Sequence, residues 1–251
     1  MGKARCDGRR PDQLRPVRIR RRFTEYAPGS VLYECGRTRV LCTATVEEGV
    51  PEFLEGKDTG WVTAEYGMLP SSTPGRKRRA AARGRPDGRE IEIQRILGRA
   101  LRAVTDLAAL GPRTVWIDVD VLQADGGTRT AGVTGSWIAL ADAVAWLRGK
   151  GLLPGEPLRG QVSAVSVGVV GGTPLLDLCY VEDAGAAVDM NVVLTAEGEY
   201  VEVQGTGEKR GFTPAEFDAM LALARKGCAR LHALQKRALR GERRGRPQLS
   251  N

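Results

Sequence analysis

The sequence predicts an α+β fold, with helices packed on mixed sheets in one domain over residues 1–240. Three observations carry that prediction. Strand-like and helix-like segments are grouped, running as four strands, a helix, a strand, a helix, four strands and a closing helix. Residues 113–122 alternate, with Val115, Ile117, Val119 and Val121 on one face and Trp116, Asp118 and Asp120 on the other. From Ile91 onward, Ile93, Ile96, Leu97, Ala100, Leu101, Val104 and Leu107 fall at helical spacing.

Taken in order, 17–23, 30–36 and 38–46 read as strands, the last ending in the turn Glu47–Gly49. Residues 61–66 are a fourth. The Gly-, Pro- and Arg-rich stretch 70–89 cannot pack as a core element and reads as an exposed loop. Gly111-Pro112 ends the first helix. After the strand at 113–122, Gly126-Gly127-Thr128-Arg129-Thr130 opens a second helix whose buried stripe is Val133, Trp137, Leu140, Ala141 and Val144. Four strands follow at 161–170, 174–180, 188–195 and 199–204. Thr213-Pro214-Ala215-Glu216 then carries the signature of a capping box with proline at the first helical position. Residues 241–251 are expected to form a basic tail outside the folded domain.

Composition narrows the function classes. With 42% hydrophobic and 27% charged residues among 251, disorder is excluded as the dominant state. No apolar run approaches the ~20 residues of a membrane span, and no apolar segment follows the basic N-terminus, so neither a membrane partner nor a secretory signal is expected. Five cysteines, none in a C-x-x-C pair, suggest neither a zinc site nor a disulfide framework, and a reducing cytoplasm is the expected setting. The net charge of +8 is locally concentrated. Between Arg76 and Arg89 stand six arginines and one lysine against Asp87 alone, and a second basic cluster runs from Lys236 to Arg246. Such clusters suit a phosphate backbone, although a solvated loop and tail would look the same.

Two constellations bear chemistry. The first is the Gly126–Thr130 turn between a strand and a helix. A helix N-terminus presents unpaired amides and partial positive charge, glycines admit close backbone approach, and Arg129 adds a cationic fork. No P-loop or dinucleotide fingerprint is present, so a small anion such as phosphate fits better than a nucleotide. Arg89 also stands just before a helix and can converge on the same anion. The second constellation is Asp183 and Asp189, six residues apart between two strands, suited either to Mg²⁺ or Mn²⁺ or simply to turn formation. Asn191 and Gln204 can line the same place. The lone histidine, His232, lies in an amphipathic helix, so a histidine base is not expected. Phosphorolysis meets these restrictions. Phosphate is already anionic, and the difficulty is repulsion, about 4 kcal/mol for unit charges ~4 Å apart at an effective dielectric of 20, which arginines and a divalent ion oppose.

Several strings then resemble the bacterial ribonuclease PH family: Val40-Leu-Cys-Thr-Ala-Thr, Trp61-Val-Thr-Ala-Glu-Tyr-Gly-Met-Leu-Pro, Glu92-Ile-Gln-Arg, Asp118-Val-Asp-Val-Leu-Gln-Ala-Asp-Gly-Gly-Thr-Arg-Thr, Tyr180-Val-Glu-Asp, Asp189-Met-Asn-Val-Val and Glu202-Val-Gln-Gly-Thr. The resemblance runs from about Arg9 to Gln235. It implies a βαβα fold with a left-handed crossover, against the usual right-handed rule. It also implies a phosphate-dependent 3′→5′ exoribonuclease, a tRNA nucleotidyltransferase that releases nucleoside diphosphates, runs in reverse, matures tRNA 3′ ends and acts on ribosomal RNA. By position it implies phosphate binding by Arg89, Gly127, Thr128 and Arg129, catalysis and metal binding by Asp183 and Asp189, and RNA contacts from Arg76, Arg78, Arg79 and Arg83. The assembly it implies is a homohexamer, a ring of three dimers. Two other classes stay open. A non-catalytic ring subunit predicts loss of an arginine or aspartate that this chain keeps, and a hydrolytic nuclease predicts nucleoside monophosphate products.

Overall fold

The computed structural model describes residues 5–79, 84, 87–153 and 155–241. Five strands form the first sheet: β1 (Val17–Arg21), β2 (Gly29–Cys35), β3 (Thr38–Glu48), β4 (Trp61–Met68) and β5 (Arg113–Gln123). Their spatial order is β1-β2-β3-β5-β4. Only β4 and β5 are parallel, and helix α1 (Gly88–Ala103) lies between them in the chain. Val40, Cys42, Ala44 and Val46 pair with Val121, Val119, Ile117 and Val115, so the apolar alternation of β5 meets that of β3 on one buried face.

The second sheet is antiparallel, in the order β7-β6-β8-β9, built from β6 (Val162–Val170), β7 (Thr173–Leu176), β8 (Val188–Thr195) and β9 (Tyr200–Thr206). Helix α3 (Thr128–Gly149) lies between the two sheets, against β2 and β3 on one side and β6 on the other. The expected apolar stripe is therefore only part of its buried surface, because a helix covered by two sheets is buried nearly all round. Helix α5 (Pro214–Gly241) covers the other face of the second sheet. Met220, Ala224, Cys228 and Leu231 pack there on Val165, Val167, Met190 and Val192. Its N-terminus carries the capping box read from the sequence, with Glu216 N donating to Thr213 Oγ1 at 3.2 Å and Thr213 N to Glu216 Oε2 at 2.9 Å. No helix among the described residues is long and apolar enough to cross a membrane.

Two local expectations need correction. The first helix does not run unbroken from Ile91 to the stop at Gly111-Pro112. It starts at Gly88, because Asp87 and Glu90 close a capping box, and it ends at Ala103. The Thr105 hydroxyl then bonds the Leu101 carbonyl, and Asp106 caps a separate short helix, α2 (Leu107–Leu110). The strand expected at 174–180 stops at Leu176. Asp177 takes a left-handed backbone conformation (φ 57°), and residues Tyr180–Gly185 form the short helix α4.

Candidate functional site

A cavity of about 500 Å³ opens where α1, α3, α4 and the second sheet converge. Alternation along the strands decides which residues face it. In β8, Val188, Met190, Val192 and Leu194 point toward α5, so Asp189 and Asn191 point the other way. Register then sets Ser166 beside Asn191, and Gln204 and Thr206 beside Asn191 and Asp189. All five line the cavity. Arg89 and Glu92, one helical turn apart on α1, form another wall, and Asp183 of α4 faces them. Arg89 lies in the first turn of α1, not ahead of it, and Asp183 lies on a helix, not in a loop between strands.

The glycine turn closes the floor. Gly126 and Gly127 have φ of 75° and 64°, a region that side chains rarely enter. A Cβ on Gly126 would stand 2.7 Å from the Leu178 carbonyl oxygen, so close packing against the chain entering α4 requires glycine there. Unlike α1, helix α3 has no side-chain cap at its N-terminus. Its first amides therefore remain available to an anion in the cavity. The threonine hydroxyls do less than the sequence suggests. Thr128 Oγ1 pairs with the Tyr66 hydroxyl at 2.8 Å, and Thr130 Oγ1 donates to the Gly127 carbonyl at 3.0 Å.

Arg129 Nη1 donates to Gln204 Oε1 at 2.7 Å, with the Glu92 carboxylate 3.7 Å away. The Gln204 amide in turn donates to Glu92. Burial, and then the neighbouring Arg89, push the Arg129 guanidinium below its ordinary value. Two guanidiniums facing one space suit an anion between them. The carboxylates show the converse. Burial raises Asp183 despite Arg89 and Arg129, and burial, Asp183 and Glu208 together raise Asp189. Asp189 Oδ1 is buried with no hydrogen-bond partner among the described residues. Glu208 and Lys209 also line the cavity, and Lys209 Nζ donates to the Gly185 carbonyl at the end of α4.

Sequence reasoning missed the scaffold beneath this site. Arg5, Arg9 and Arg15, from the basic N-terminal segment, are buried with Asp177 and Glu182. Arg15 grips Asp177 Oδ1 at 2.6 Å and donates to the Asp125 carbonyl at 2.6 Å, tying the glycine turn to the end of β7. Arg5 donates to both Glu182 oxygens at 2.7 Å, fixing the helix that carries Asp183. The only available signal was arginines next to a match that begins near Arg9. Burial alone would raise Asp177, but Arg15 and then Arg9 hold it below the usual carboxylate range. Its contribution to stability is therefore present above that range and lost as pH falls through the depressed value. Asp177→Ala leaves the buried Arg15 guanidinium without its carboxylate, while Arg9 keeps Asp7 and Glu182, and should cost about 3–5 kcal/mol. A loss under about 1 kcal/mol in urea unfolding would show that water solvates the pair.

Arg76, Arg78 and Arg79 are exposed and do not line the cavity; burial raises the Asp120 carboxyl, and the nearby Arg79 opposes that rise. Arg83, and the tail beyond Gly241, lie outside the described residues. His232 is buried and pairs with Ser163 Oγ at 2.9 Å, away from the cavity.

Arginines, an open helix N-terminus and paired carboxylates thus share one cleft beside the central helix of a two-sheet α+β fold. The models of domain 1 and domain 2 of the 3′ exoribonuclease family (RNase PH) match residues 13–145 and 160–227. The chain belongs to that family. Its fold is similar to that of Rrp46 from rice (Oryza sativa), with a TM-score of 0.76 and 20% identity over 94% of this chain and 100% of that one. It is also similar to the Archaeoglobus fulgidus exosome with RNA bound to its active site, with a TM-score of 0.79 and 23% identity over 92% of both chains.

Proposed function

We propose that this chain is a phosphorolytic 3′→5′ exoribonuclease of the bacterial ribonuclease PH type, trimming the 3′ ends of tRNA precursors and working as a cytoplasmic homohexamer. The observation that supports this most is the convergence of Arg89, Arg129, the uncapped start of α3 and the orphaned Asp189 Oδ1 on one cavity. Arg89, Arg129 and the amides of Gly127 and Thr128 hold inorganic phosphate, the co-substrate, and orient one oxygen toward the terminal phosphodiester. The buried Asp189 oxygen fits a cation better than any protein donor nearby, so Asp183 and Asp189 are the residues that would hold Mg²⁺ or Mn²⁺. When bound, the ion supplies positive charge for the leaving 3′ oxygen. Gln204 and Glu92 keep the Arg129 fork aimed into the cavity.

Separating the products by thin-layer chromatography, with and without phosphate, tests this directly. Nucleoside diphosphates that vanish when phosphate is dialysed away are expected. Nucleoside monophosphates without a phosphate requirement would make the chain a hydrolase. No release under either condition would make it a non-catalytic subunit.

Arg76, Arg78 and Arg79, with Arg83, are proposed to grip the tRNA body outside the cavity. Replacing the first three by Ala should weaken tRNA binding and flatten its dependence on log[salt]. A single-strand contact carries a slope of roughly 0.7 and a duplex contact roughly 0.9. Unchanged affinity and slope would reduce the loop to a solubilising surface.

A further inference from the structure

Cys6 and Cys179 are separated by 173 residues in the chain, yet their Sγ atoms are 3.2 Å apart. Cys6 is exposed and Cys179 is buried. The segment carrying Cys6 is anchored on both sides. Arg5 binds Glu182 and donates to the Leu176 and Asp177 carbonyls at 2.8 and 3.0 Å, and Arg9 donates to the Asp177 carbonyl at 3.0 Å. Cys179 is held from the other side as the N-cap of α4, its amide donating to Glu182 Oε2 at 3.1 Å. Reaching the ~2.05 Å of a disulfide therefore needs only about 1 Å of approach. Cys6, Cys179 and Glu182 also offer three donor atoms within 4.8 Å of one another. A cation there would face the Arg5 guanidinium across a carboxylate already bound on both oxygens, so thiol chemistry is favoured over metal capture.

We infer that Cys6 and Cys179 form a reversible oxidation site, closed to an intramolecular disulfide by a hydroperoxide that reaches the exposed Cys6. With hydrogen peroxide, the Cys6 sulfur attacks one oxygen and the O–O bond breaks, giving a sulfenic acid and one water. The Cys179 sulfur then attacks the Cys6 sulfur. The S–S bond forms, the S–O bond breaks, and the departing hydroxide leaves with the Cys179 proton as a second water. The two thiols together give up two electrons and two protons, which the peroxide accepts. Cys6 is the exposed thiol and Cys179 the buried one, so peroxide meets Cys6 first and Cys179 resolves. A dithiol reductant reverses the reaction. Cys179 adjoins α4, which carries Asp183, and its carbonyl carbon packs beside Gly126, so the bond fastens both walls of the cavity to the N-terminal segment without entering it.

The full chain treated with hydrogen peroxide, then denatured, alkylated and mapped by mass, tests this. Loss of two of the five thiols in a Cys6–Cys179 cross-linked peptide, restored by dithiothreitol, is expected. Closing so long a loop should raise Tm by roughly 5–10 °C, a gain absent in Cys6→Ser. Cys179→Ser should instead leave Cys6 open to sulfinic acid formation. The inference is overturned if wild-type protein yields Cys6 sulfinic acid or a Cys6–Cys6 dimer while Cys179 stays alkylatable. A Tm gain that persists in Cys6→Ser would overturn it too. Thiol mapping reads the site whether or not the chain trims RNA.

Discussion

Arg129→Ala should raise the phosphate concentration for half-maximal trimming by about two orders of magnitude, the loss of one charge-assisted bidentate contact, while RNA affinity shifts less than about threefold. Three features combine. The lost fork is one of two guanidiniums lining the cavity. Gln204 Oε1 loses its donor. Glu92, 3.7 Å from the guanidinium in the intact protein, becomes an uncompensated negative charge beside the incoming dianion. Arg129→Lys keeps the charge without the planar fork and should fall between the two. Phosphate titrations of initial rate, paired with equilibrium RNA binding, check this. Equal losses in both would make Arg129 an RNA contact, and an unchanged phosphate requirement would remove it from the site.

Asp189→Asn should lower kcat by about three orders of magnitude, the scale of losing transition-state charge stabilisation. It should also make the protein more stable. Burial, then Asp183 and Glu208, hold the Asp189 pKa above its ordinary value. The folded chain therefore binds that proton more tightly than the unfolded one, and stability falls as pH rises from the ordinary aspartate range through the raised value. At neutral pH the charged carboxylate is a net penalty, and the neutral amide removes it. Tm should rise by a few degrees at pH 7, and the difference should shrink in acid. Such a trade is expected of charges kept for chemistry. A variant that retains kcat within tenfold would place the cation elsewhere. One that loses stability at pH 7 would show that the carboxylate is paired in solution.

Most of the secondary structure could be read locally. The β5 alternation, the α5 capping box and the glycine turn before α3 each depend on neighbours a few residues away, and each appears where the sequence places it. Misreadings arose where a distant partner overrides local preference. The stretch after Leu176 has strand-forming residues. Its path changes at Asp177, whose carboxylate is claimed by Arg15 from 162 residues away. The early start of α1 was legible in Asp87 and Glu90 and was hidden by the basic run around them.

Candidate site residues divide the same way. Arg89, Arg129, Asp183 and Asp189 are visible as residue types next to helix starts and strand ends, and the structure brings all four to one cavity. Ser166 and Thr206 carry no sequence signal, because their place depends on the register of β6, β8 and β9, and Glu208 and Lys209 reach the cavity from the segment that follows β9.

By itself, the sequence determined the α+β class, the order of most elements, the glycine turn before α3 and the carboxylate pair, since helical and strand periodicity and turn chemistry are short-range properties. Tertiary structure alone decided that three N-terminal arginines are buried supports and that two cysteines 173 residues apart in the chain touch. Those outcomes rest on pairings across 100 residues or more, where packing and the cost of burying unpaired charge select the partner.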